Sequence, residues 1–178
     1  MVIEKQETDQ LILVNEQDEI IGYSGKMEAH EKGLLHRAFS IFVVNDCDEL
    51  MIQRRAMHKY HSGGLWANTC CSHPLRNEDL EQTIHRRLQH EMGFDCKLEP
   101  LFKFIYKTEF GNGLVEHELD TVYLGCHDGP AQPNPAEVMD WRWIDLEELK
   151  TALEADSPDY VYWIKAAFTE FYENYHLK

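Results

Sequence analysis

The sequence predicts an α+β fold in which a mixed β-sheet is flanked by α-helices. Short apolar runs bounded by turn residues indicate strands, whereas apolar residues at helical spacing occur between two groups of such runs and again near the end. The chain has 178 residues and 43% hydrophobic content, which is enough for one core and too little for two comfortable ones. We therefore expect a single domain over residues 1–178.

The predicted strands fall into two groups separated by a helix. Residues 11–14 and 19–23 flank a polar turn and predict an opening hairpin, and residues 39–44 and 50–54 flank a second turn. The later elements are strands at residues 101–107, 114–124 and 139–144, the first two joined by turn residues 111–113, and helices at residues 145–153 and about 160–175.

The central helix is predicted for residues 78–92, where leucine, isoleucine and methionine recur every four positions. Asn77 can cap this helix, with Glu78 and Asp79 in its first turn, and Gly93 ends it. Glu91 falls within the apolar stripe of the same helix. A carboxylate at such a position requires a partner.

The charge of the chain excludes some classes of partner. Seventeen Lys and Arg residues against 32 Asp and Glu residues give a net charge of −15, which repels nucleic acids and anionic membranes. We expect neither as a partner. A small anionic ligand is still compatible with this charge, because clustered cations or a divalent metal can reverse the field locally inside a cleft.

The lack of a recognisable targeting signal and the number of cysteines predict a cytoplasmic location. No stretch approaches the roughly 20 uncharged apolar residues that span a bilayer, and the N-terminus lacks the pattern of a signal peptide. The five cysteines are odd in number and two are adjacent, which suits a reducing compartment better than a disulfide framework. We therefore expect a soluble cytoplasmic protein in which thiol chemistry is available.

Chemistry-bearing residues recur in three separate segments. Cys71 and His73 lie in the run Asn-Thr-Cys-Cys-Ser-His-Pro-Leu at residues 68–75, Glu91 follows one helix later, and Glu116 and Glu118 follow one hairpin later. The strand period of two places these last two carboxylates on one face. A thiol, an imidazole and three carboxylates are groups that move protons or hold cations.

The central helix resembles a damaged Nudix box, a strand–loop–helix signature whose glutamates hold magnesium against a diphosphate. Loss of box glutamates argues against ordinary diphosphate hydrolysis, because these carboxylates would position the ions that activate water. The matching residues are Glu78, Arg86, Leu88, Glu91 and Gly93, whereas Ser72, Arg87 and His90 stand where the glycine and two of the glutamates are expected.

With these motifs taken together, the chain resembles the type I isopentenyl diphosphate isomerases, a family built on the Nudix fold with an altered box. The resemblance runs from about Leu11 to the final helix. It implies a Nudix-type sandwich, an isoprenoid diphosphate as the small-molecule partner, and no hydride cofactor. It also implies the interconversion of isopentenyl and dimethylallyl diphosphate in isoprenoid biosynthesis. Whether the protein is a monomer or a weak dimer stays open.

The resemblance implies that Cys71 and Glu118 are the catalytic acid/base pair, on opposite sides of the substrate, and that Tyr106 helps to position or relay the proton. A free thiol has a pKa of about 8.5, so a base role for Cys71 would require positive surroundings. Sequence alone does not assign acid and base, because the reaction is reversible. The alternative role for a cysteine is that of a small buried apolar residue, which is our interpretation of Cys70.

A metal site is implied by the same resemblance. His30, His36, His73, Glu116 and Glu118 match the family's three-histidine, two-glutamate set, which suits zinc, manganese or magnesium. Taken alone, each of these histidines would more often be a surface or core residue. Five further histidines have no assigned role: His58, His61, His85, His90 and His117.

Glu91 matches the family's ligand for a second, substrate-bridging magnesium ion. Its alternative role is an ion pair with Arg87, one helical turn earlier. Lys26, Arg55, Lys59 and Arg87 resemble the family's diphosphate contacts, and cationic side chains suit phosphate oxygens. Without the resemblance they would be interpreted as solvated surface charge.

Trp163 matches an aromatic residue that faces the reacting carbons, where a π face would stabilise a cation by about 0.5–2 kcal/mol. Core packing is the alternative role. The chain departs from the family at two places near the site. Tyr162 replaces a common proline before the tryptophan, and the segment Ser-Gly-Gly-Leu-Trp at residues 62–66 replaces an aromatic-Pro-Gly segment.

Two other functions compete with this interpretation. The first is a Nudix hydrolase of a nucleoside diphosphate derivative, which would release phosphate. The second is a non-catalytic domain that binds metal or diphosphate. The presence of both Cys71 and Glu118 counts against the second, because binding alone needs no thiol opposite a carboxylate.

Overall fold

The computed structural model describes residues 9–59 and 61–177, which form a nine-stranded sheet with four helices. None of these helices combines the length and the apolar character needed to cross a membrane. The strands are β1 (Gln10–Val14), β2 (Ile20–Gly25), β3 (His36–Val44), β4 (Glu49–Arg55), β5 (Trp66–Ala67), β6 (Cys70–Ser72), β7 (Leu98–Glu109), β8 (Val115–Cys126) and β9 (Val138–Asp145). The helices are α1 (Lys26–Lys32), α2 (Leu80–Met92), α3 (Leu146–Glu154) and α4 (Tyr162–His176).

Strand β3 organises the sheet. It pairs in parallel with β8 from His36 opposite Glu118 to Val44 opposite Cys126, and antiparallel with β6 along its other edge. Strands β1 and β4 also pair with β3, and β9 pairs with β4. The sheet is therefore mixed and flanked by helices, so the predicted α+β class is confirmed.

Apolar layers cover both faces of β3. Phe42 belongs to a core cluster with helix α4, where its ring stacks on Phe171 at 4.4 Å between centroids. Ile41, the preceding residue, belongs to a second cluster that contains Leu88 and Met92 of α2. Because successive strand residues point to opposite faces, residues 41–44 of this strand are all apolar and helices pack on both sides of it.

Most predicted elements are confirmed to within a few residues, but three short ones were missed. Helix α1 has no side-chain cap at its start, and strands β5 and β6 are two and three residues long, too short to show periodicity. The cap prediction for α2 was wrong. Asp79 caps this helix by accepting a hydrogen bond from the backbone N–H of Gln82, whereas Asn77 lies in the preceding turn with φ of 68°.

Candidate active site

The residues predicted for catalysis, metal binding and substrate binding converge on one pocket, whose open space including its mouth is about 620 Å³. Its wall includes eleven of them: Lys26, Arg55, Lys59, Cys71, His73, Arg87, Glu91, Tyr106, Glu116, Glu118 and Trp163. His30 and His36 complete the set by packing against His73, with ring centroids 5.9 and 5.0 Å from its ring.

Sheet register brings the catalytic candidates to one face. Cys71 on β6 lies opposite Ser40 on β3, and His36, four residues earlier on β3, lies opposite Glu118 on β8. Tyr106 on β7 lies opposite Glu118 from the other side. Since paired residues and residues two or four apart share a face, the thiol, the imidazole, the carboxylate and the phenol all project to the same side of the sheet.

Two buried carboxylates share one phenol. The hydroxyl of Tyr106 donates to Glu118 Oε2 at 2.6 Å and lies 3.1 Å from Glu116 Oε2. Burial and the adjacent charge of Glu118 raise the pKa of Glu116 to about 8. Burial and the same carboxylates raise the pKa of Tyr106 well above its usual value, so the phenol stays protonated and acts as a donor.

The histidines offer lone pairs to a cation. Nδ1 of His30 lies 2.6 Å from the carbonyl oxygen of Lys26, and Nδ1 of His36 lies 2.8 Å from that of Leu34. A carbonyl only accepts hydrogen bonds, so Nδ1 carries the proton and Nε2 is the unprotonated nitrogen that can act as a ligand in the neutral ring. Burial lowers the pKa of His30 to about 4 and that of His73 to about 3, which keeps both rings neutral at neutral pH.

This cluster fits a divalent metal. The ligand atoms of His30, His36, His73 and Glu118 all lie within 4.8 Å of one another. Among the described residues, Nε2 of His36 is buried without a hydrogen bond, 3.6 Å from Glu118 Oε1. A buried nitrogen facing a carboxylate is the environment expected where a cation is held between them.

Sequence reasoning missed His61, which lines the same pocket. Its Nε2 lies 2.9 Å from Glu116 Oε1, and His30, His61 and Glu116 form a second group whose ligand atoms lie within 4.8 Å of one another. No periodicity or metal-type spacing marks this histidine in the sequence. Its position beside the altered loop at residues 62–66 was the one available signal.

Four further histidines without an assigned role are engaged outside this pocket or exposed. His117 contacts the carbonyl oxygen of Gly33 at 3.0 Å, and His85 contacts Asp95 at 2.6 Å. His90 lies 3.2 Å from Asn134, and His58 is exposed. These environments agree with structural or surface roles.

Glu91 is buried at the pocket end of α2. Its carboxylate pairs with Arg87 at 2.5 Å and accepts a hydrogen bond from Gln53 Nε2 at 3.0 Å. The ion pair that we considered as the alternative is therefore present, and both of its members line the pocket. A diphosphate or a cation entering there would meet a preformed charge pair.

Cationic side chains gather at the same end of the pocket, together with an acid that sequence reasoning missed. Glu137 forms an ion pair with Lys59 and lies 3.6 Å from Arg87. The guanidinium of Arg55 lies over the ring of Trp163, 5.0 Å from its centroid. The local field is thus set by several cations, two of which are partly neutralised by Glu137.

Cys71 lies in a partly buried corner of the pocket among hydrogen-bonding groups. Its sulfur lies 3.1 Å from Trp163 Nε1 and 3.6 Å from Asn68 Oδ1. Burial raises the pKa of the Cys71 thiol well above its usual value, and the opposing charge of Arg55 does not restore it. The thiol is therefore protonated at rest. Cys70 is fully buried in the core cluster on the α2 side, as expected for a packing residue.

Comparison with known proteins identifies the family. The NUDIX domain model matches residues 34–165, about three quarters of the chain. Isopentenyl-diphosphate Delta-isomerase 2 of Aromatoleum aromaticum is 53% identical over 158 residues, which cover 89% of this chain and 84% of that protein. The chain belongs to the isopentenyl-diphosphate Delta-isomerase family of NUDIX proteins. The corresponding isomerase of Burkholderia multivorans is 50% identical over 150 residues, covering 84% of this chain and 85% of that protein.

Solved structures agree on the fold. A crystal structure from Deinococcus radiodurans superposes with a TM-score of 0.74 at 19% identity, covering 90% of this chain and 97% of that one. A MutT protein from Methanosarcina mazei gives a TM-score of 0.64 at 13% identity, covering 78% and 94%. The predicted Nudix-type sandwich is thus confirmed.

The replacement of the family's proline by Tyr162 does not move Trp163 out of the pocket. Tyr162 occupies the first position of α4, where proline is favoured but not required, and its side chain is 45% exposed. Trp163 next to it is buried and lines the pocket. Helix α4 therefore places Trp163 in the pocket without a proline at its first position.

Proposed function

We propose that this chain binds an isoprenoid diphosphate with its alkene between Cys71 and Glu118, and that these two side chains exchange protons with it. Family membership gives the overall reaction. The protein is an isomerase that interconverts isopentenyl and dimethylallyl diphosphate by moving a carbon–carbon double bond. The residue roles are supported chiefly by one observation, that a protonated thiol and a phenol-bonded carboxylate line the same pocket.

The pocket suits a carbocation mechanism. Addition of a proton to the terminal methylene leaves a tertiary cation, and loss of a proton from the carbon on its other side forms the new double bond. Water must be excluded because it would capture the cation. Tyr106 and Trp163 are buried and Cys71 is partly buried, and the indole can present π electron density to the cation.

The two proposed acid/base groups rest in different protonation states. Cys71 is protonated, whereas His73 and His36 outweigh the effect of burial and hold the pKa of Glu118 well below its usual value, so this carboxylate is ready to accept a proton. Cys71 carries one on sulfur, beside the amide oxygen of Asn68. The Glu116 and Glu118 pair shares the hydroxyl of Tyr106, and the raised pKa of Glu116 lets this pair hold a further proton. Because the reaction is reversible, the group that donates a proton to the substrate in one direction accepts a proton from it in the other.

A divalent metal is the proposed cofactor. His30, His36, His73, Glu116 and Glu118 would hold it, and zinc, manganese and magnesium all suit this mixed nitrogen and oxygen set. Such an ion, when bound, lowers the proton affinity of the carboxylates beside it. The rings of His30 and His73, whose pKa values burial lowers to about 4 and 3, remain neutral at neutral pH, and His73 also contacts Glu118 Oε1 through Nε2 at 2.7 Å.

The diphosphate end of the substrate is proposed to meet the cationic end of the pocket. Arg55, Lys59 and Arg87 line it, with Lys26 at its exposed edge. These residues attract phosphate oxygens despite the net charge of −15 on the whole chain. Glu91 is the proposed ligand for a substrate-bridging magnesium ion, which would replace Arg87 as its partner. The free cysteines fit a cytoplasmic location, which we also propose.

Proton NMR of isopentenyl diphosphate with the protein and magnesium in heavy water tests this function. Formation of the dimethylallyl isomer carrying deuterium is expected, because the proton added to the alkene comes from groups that exchange with solvent. Release of phosphate would instead identify the hydrolase alternative. Unchanged alkene at equimolar protein would contradict the proposal.

A further inference from the structure

A glutamine interrupts the apolar run of strand β4. Residues 50–52 are Leu, Met and Ile, each fully buried, and Gln53 follows them with only 3% of its surface exposed. A buried amide that is left without hydrogen bonds is costly, so the partners of this side chain decide what it does there. Because Gln53 also lines the pocket, those partners bear on the site.

The sheet fixes where this side chain points. Gln53 pairs with Ala67 on β5 and with Trp141 on β9, so its backbone is held from both sides. Met51, two residues earlier, belongs to the core cluster on the side of helix α2. Since residues two apart on a strand share a face, the amide of Gln53 points toward the same helix.

The NH2 group of Gln53 has two acceptors. Its Nε2 donates to the backbone carbonyl oxygen of Thr69 at 2.8 Å and to Oε2 of Glu91 at 3.0 Å. A carbonyl oxygen only accepts hydrogen bonds, so the nitrogen of the amide, and not its oxygen, faces these two groups. The strand and Thr69 therefore hold the donor in one place against Glu91.

The anchor of this amide is itself fixed. The hydroxyl of Thr69 donates to the carbonyl oxygen of Met51 at 2.6 Å, and the backbone N–H of Val43 donates to that hydroxyl at 2.9 Å. Thr69 is thereby tied to both β3 and β4. Because Thr69 lies two residues before Cys71, Gln53 also joins the cationic end of the pocket to the segment that carries the thiol.

The two oxygens of Glu91 have different partners. Oε1 pairs with Nη2 of Arg87 at 2.5 Å, whereas Oε2 accepts the hydrogen bond from Gln53. Arg87 is partly exposed on the pocket wall, and its guanidinium suits phosphate oxygens. Gln53 is buried and anchored at Thr69, so its bond to Glu91 can persist when Arg87 turns to a phosphate group.

We propose that Gln53 is a positioning residue that holds Oε2 of Glu91, which leaves Oε1 for the substrate-bridging magnesium ion when Arg87 turns to the diphosphate. The inference rests on the proposed role of Glu91. Ligating carboxylates are commonly fixed by a hydrogen bond from outside the ligand set, and loss of such a bond weakens metal binding by about 10- to 100-fold. Gln53 acts through Glu91, because the side of its amide that faces the carboxylate only donates.

Calorimetric titration with inorganic diphosphate, in buffer with and without magnesium, tests the proposal. The measured quantity is the gain in diphosphate affinity that magnesium gives. Gln53→Met keeps the length of the side chain and removes the donor, so this gain should fall about 10-fold or more. Affinity without magnesium should stay close to that of the parent protein. Gln89→Met, on the exposed face of helix α2, is the matched control and should keep the full gain.

A double-mutant cycle with Glu91→Gln shows whether the effect passes through that carboxylate. Glu91→Gln should lose most of the magnesium gain by itself, and addition of Gln53→Met should lower it no further. If Gln53→Met does not fold, because two buried acceptors lose their donor, Gln53→Ser replaces it. The smaller side chain leaves room for water but holds no fixed donor at Glu91, so the same loss is expected.

Three results would overturn the proposal. A full magnesium gain in Gln53→Met with a lower free energy of unfolding would make the hydrogen bond purely structural. A further loss in the Glu91→Gln background would mean that Gln53 acts on the ion independently of Glu91. No magnesium gain in the parent protein would remove the bridging ion itself. Isomerisation in heavy water is measured separately, so formation of the dimethylallyl isomer would leave the proposed reaction standing in each case.

Discussion

The indole N–H of Trp163 points at the sulfur of Cys71, with Nε1 and Sγ 3.1 Å apart. The same nitrogen lies 3.2 Å from Oδ1 of Asn68. The Asn68 amide nitrogen donates to the carbonyl oxygens of Ile41 and Cys70, at 3.1 and 3.0 Å, which fixes the orientation of its side chain. A fully buried asparagine therefore joins the candidate catalytic thiol to the candidate cation-stabilising ring.

Replacement of Asn68 by alanine should lower kcat more than it raises KM, because the thiol and the indole lose their common acceptor while the cationic end of the pocket is unchanged. Two buried carbonyl groups also lose their donor, and we expect a loss of about 1–3 kcal/mol in the free energy of unfolding. Steady-state kinetics and urea denaturation measure the two effects. An unchanged kcat would contradict the positioning role of Asn68.

Replacement of Cys71 by alanine should abolish isomerisation while leaving metal content unchanged, since the sulfur is the proposed proton carrier and is not a proposed ligand. A loss of at least about 100-fold in kcat is expected, as for removal of a general acid or base. The adjacent Cys70→Ala is the matched control, because it removes a buried thiol on the other side of the sheet. Near-normal turnover by Cys71→Ala would remove the central assignment.

Metal affinity should rise with pH until about pH 8. Below that value Glu116, whose pKa is raised to about 8 by burial and by Glu118, holds a proton that a bound ion must displace. This one proton contributes at most about a tenfold gain per pH unit. His30 and His73, with pKa values of about 4 and 3, are already neutral in this range. Glu118 outweighs the effect of burial and raises the pKa of His36, so this third ring also gives up a proton where it is still charged.

Isothermal titration calorimetry in buffers of different ionisation enthalpy measures the protons released on binding Mn²⁺. The matched variant, Glu116→Gln, should bind more weakly and release one proton fewer at neutral pH. Affinity independent of pH in the parent protein would contradict the assignment of Glu116 as a protonated ligand.

Replacement of Glu137 by glutamine should tighten the binding of inorganic diphosphate. Glu137 pairs with Lys59 and lies near Arg87, so its loss frees two cations for the anion. A gain of about threefold to tenfold, or roughly 0.6–1.4 kcal/mol, is expected. Calorimetric titration with diphosphate and magnesium measures it.

The control for this change is Glu99→Gln, which removes the same charge from a carboxylate that pairs with Lys97 outside the pocket. It should leave diphosphate affinity unchanged. Weaker binding by Glu137→Gln would mean that this carboxylate orients the cations or a metal ion and does not compete with the ligand.

Local sequence patterns predicted most of the fold. Alternating and continuous apolar residues located the long strands, and apolar residues four positions apart located helix α2. An element with one buried face has apolar residues at regular intervals in the sequence. The same patterns placed Glu91 on a buried face, where it lies. Strands β5 and β6 were missed because two or three residues contain too few side chains to show the strand period, and helix α1 was missed because seven residues make only about two helical turns.

The sequence by itself determined which chemical groups the protein has, including the thiol of Cys71, the paired carboxylates of Glu116 and Glu118, and the altered Nudix box. Only the tertiary structure placed three further residues in contact with side chains of the pocket: His61, Asn68 and Glu137. Asn68 meets Trp163 across 95 positions, and Lys59 meets Glu137 across 78. Such contacts depend on strand register and on the path of loops between elements. Neither can be predicted from the local spacing of residues along the chain.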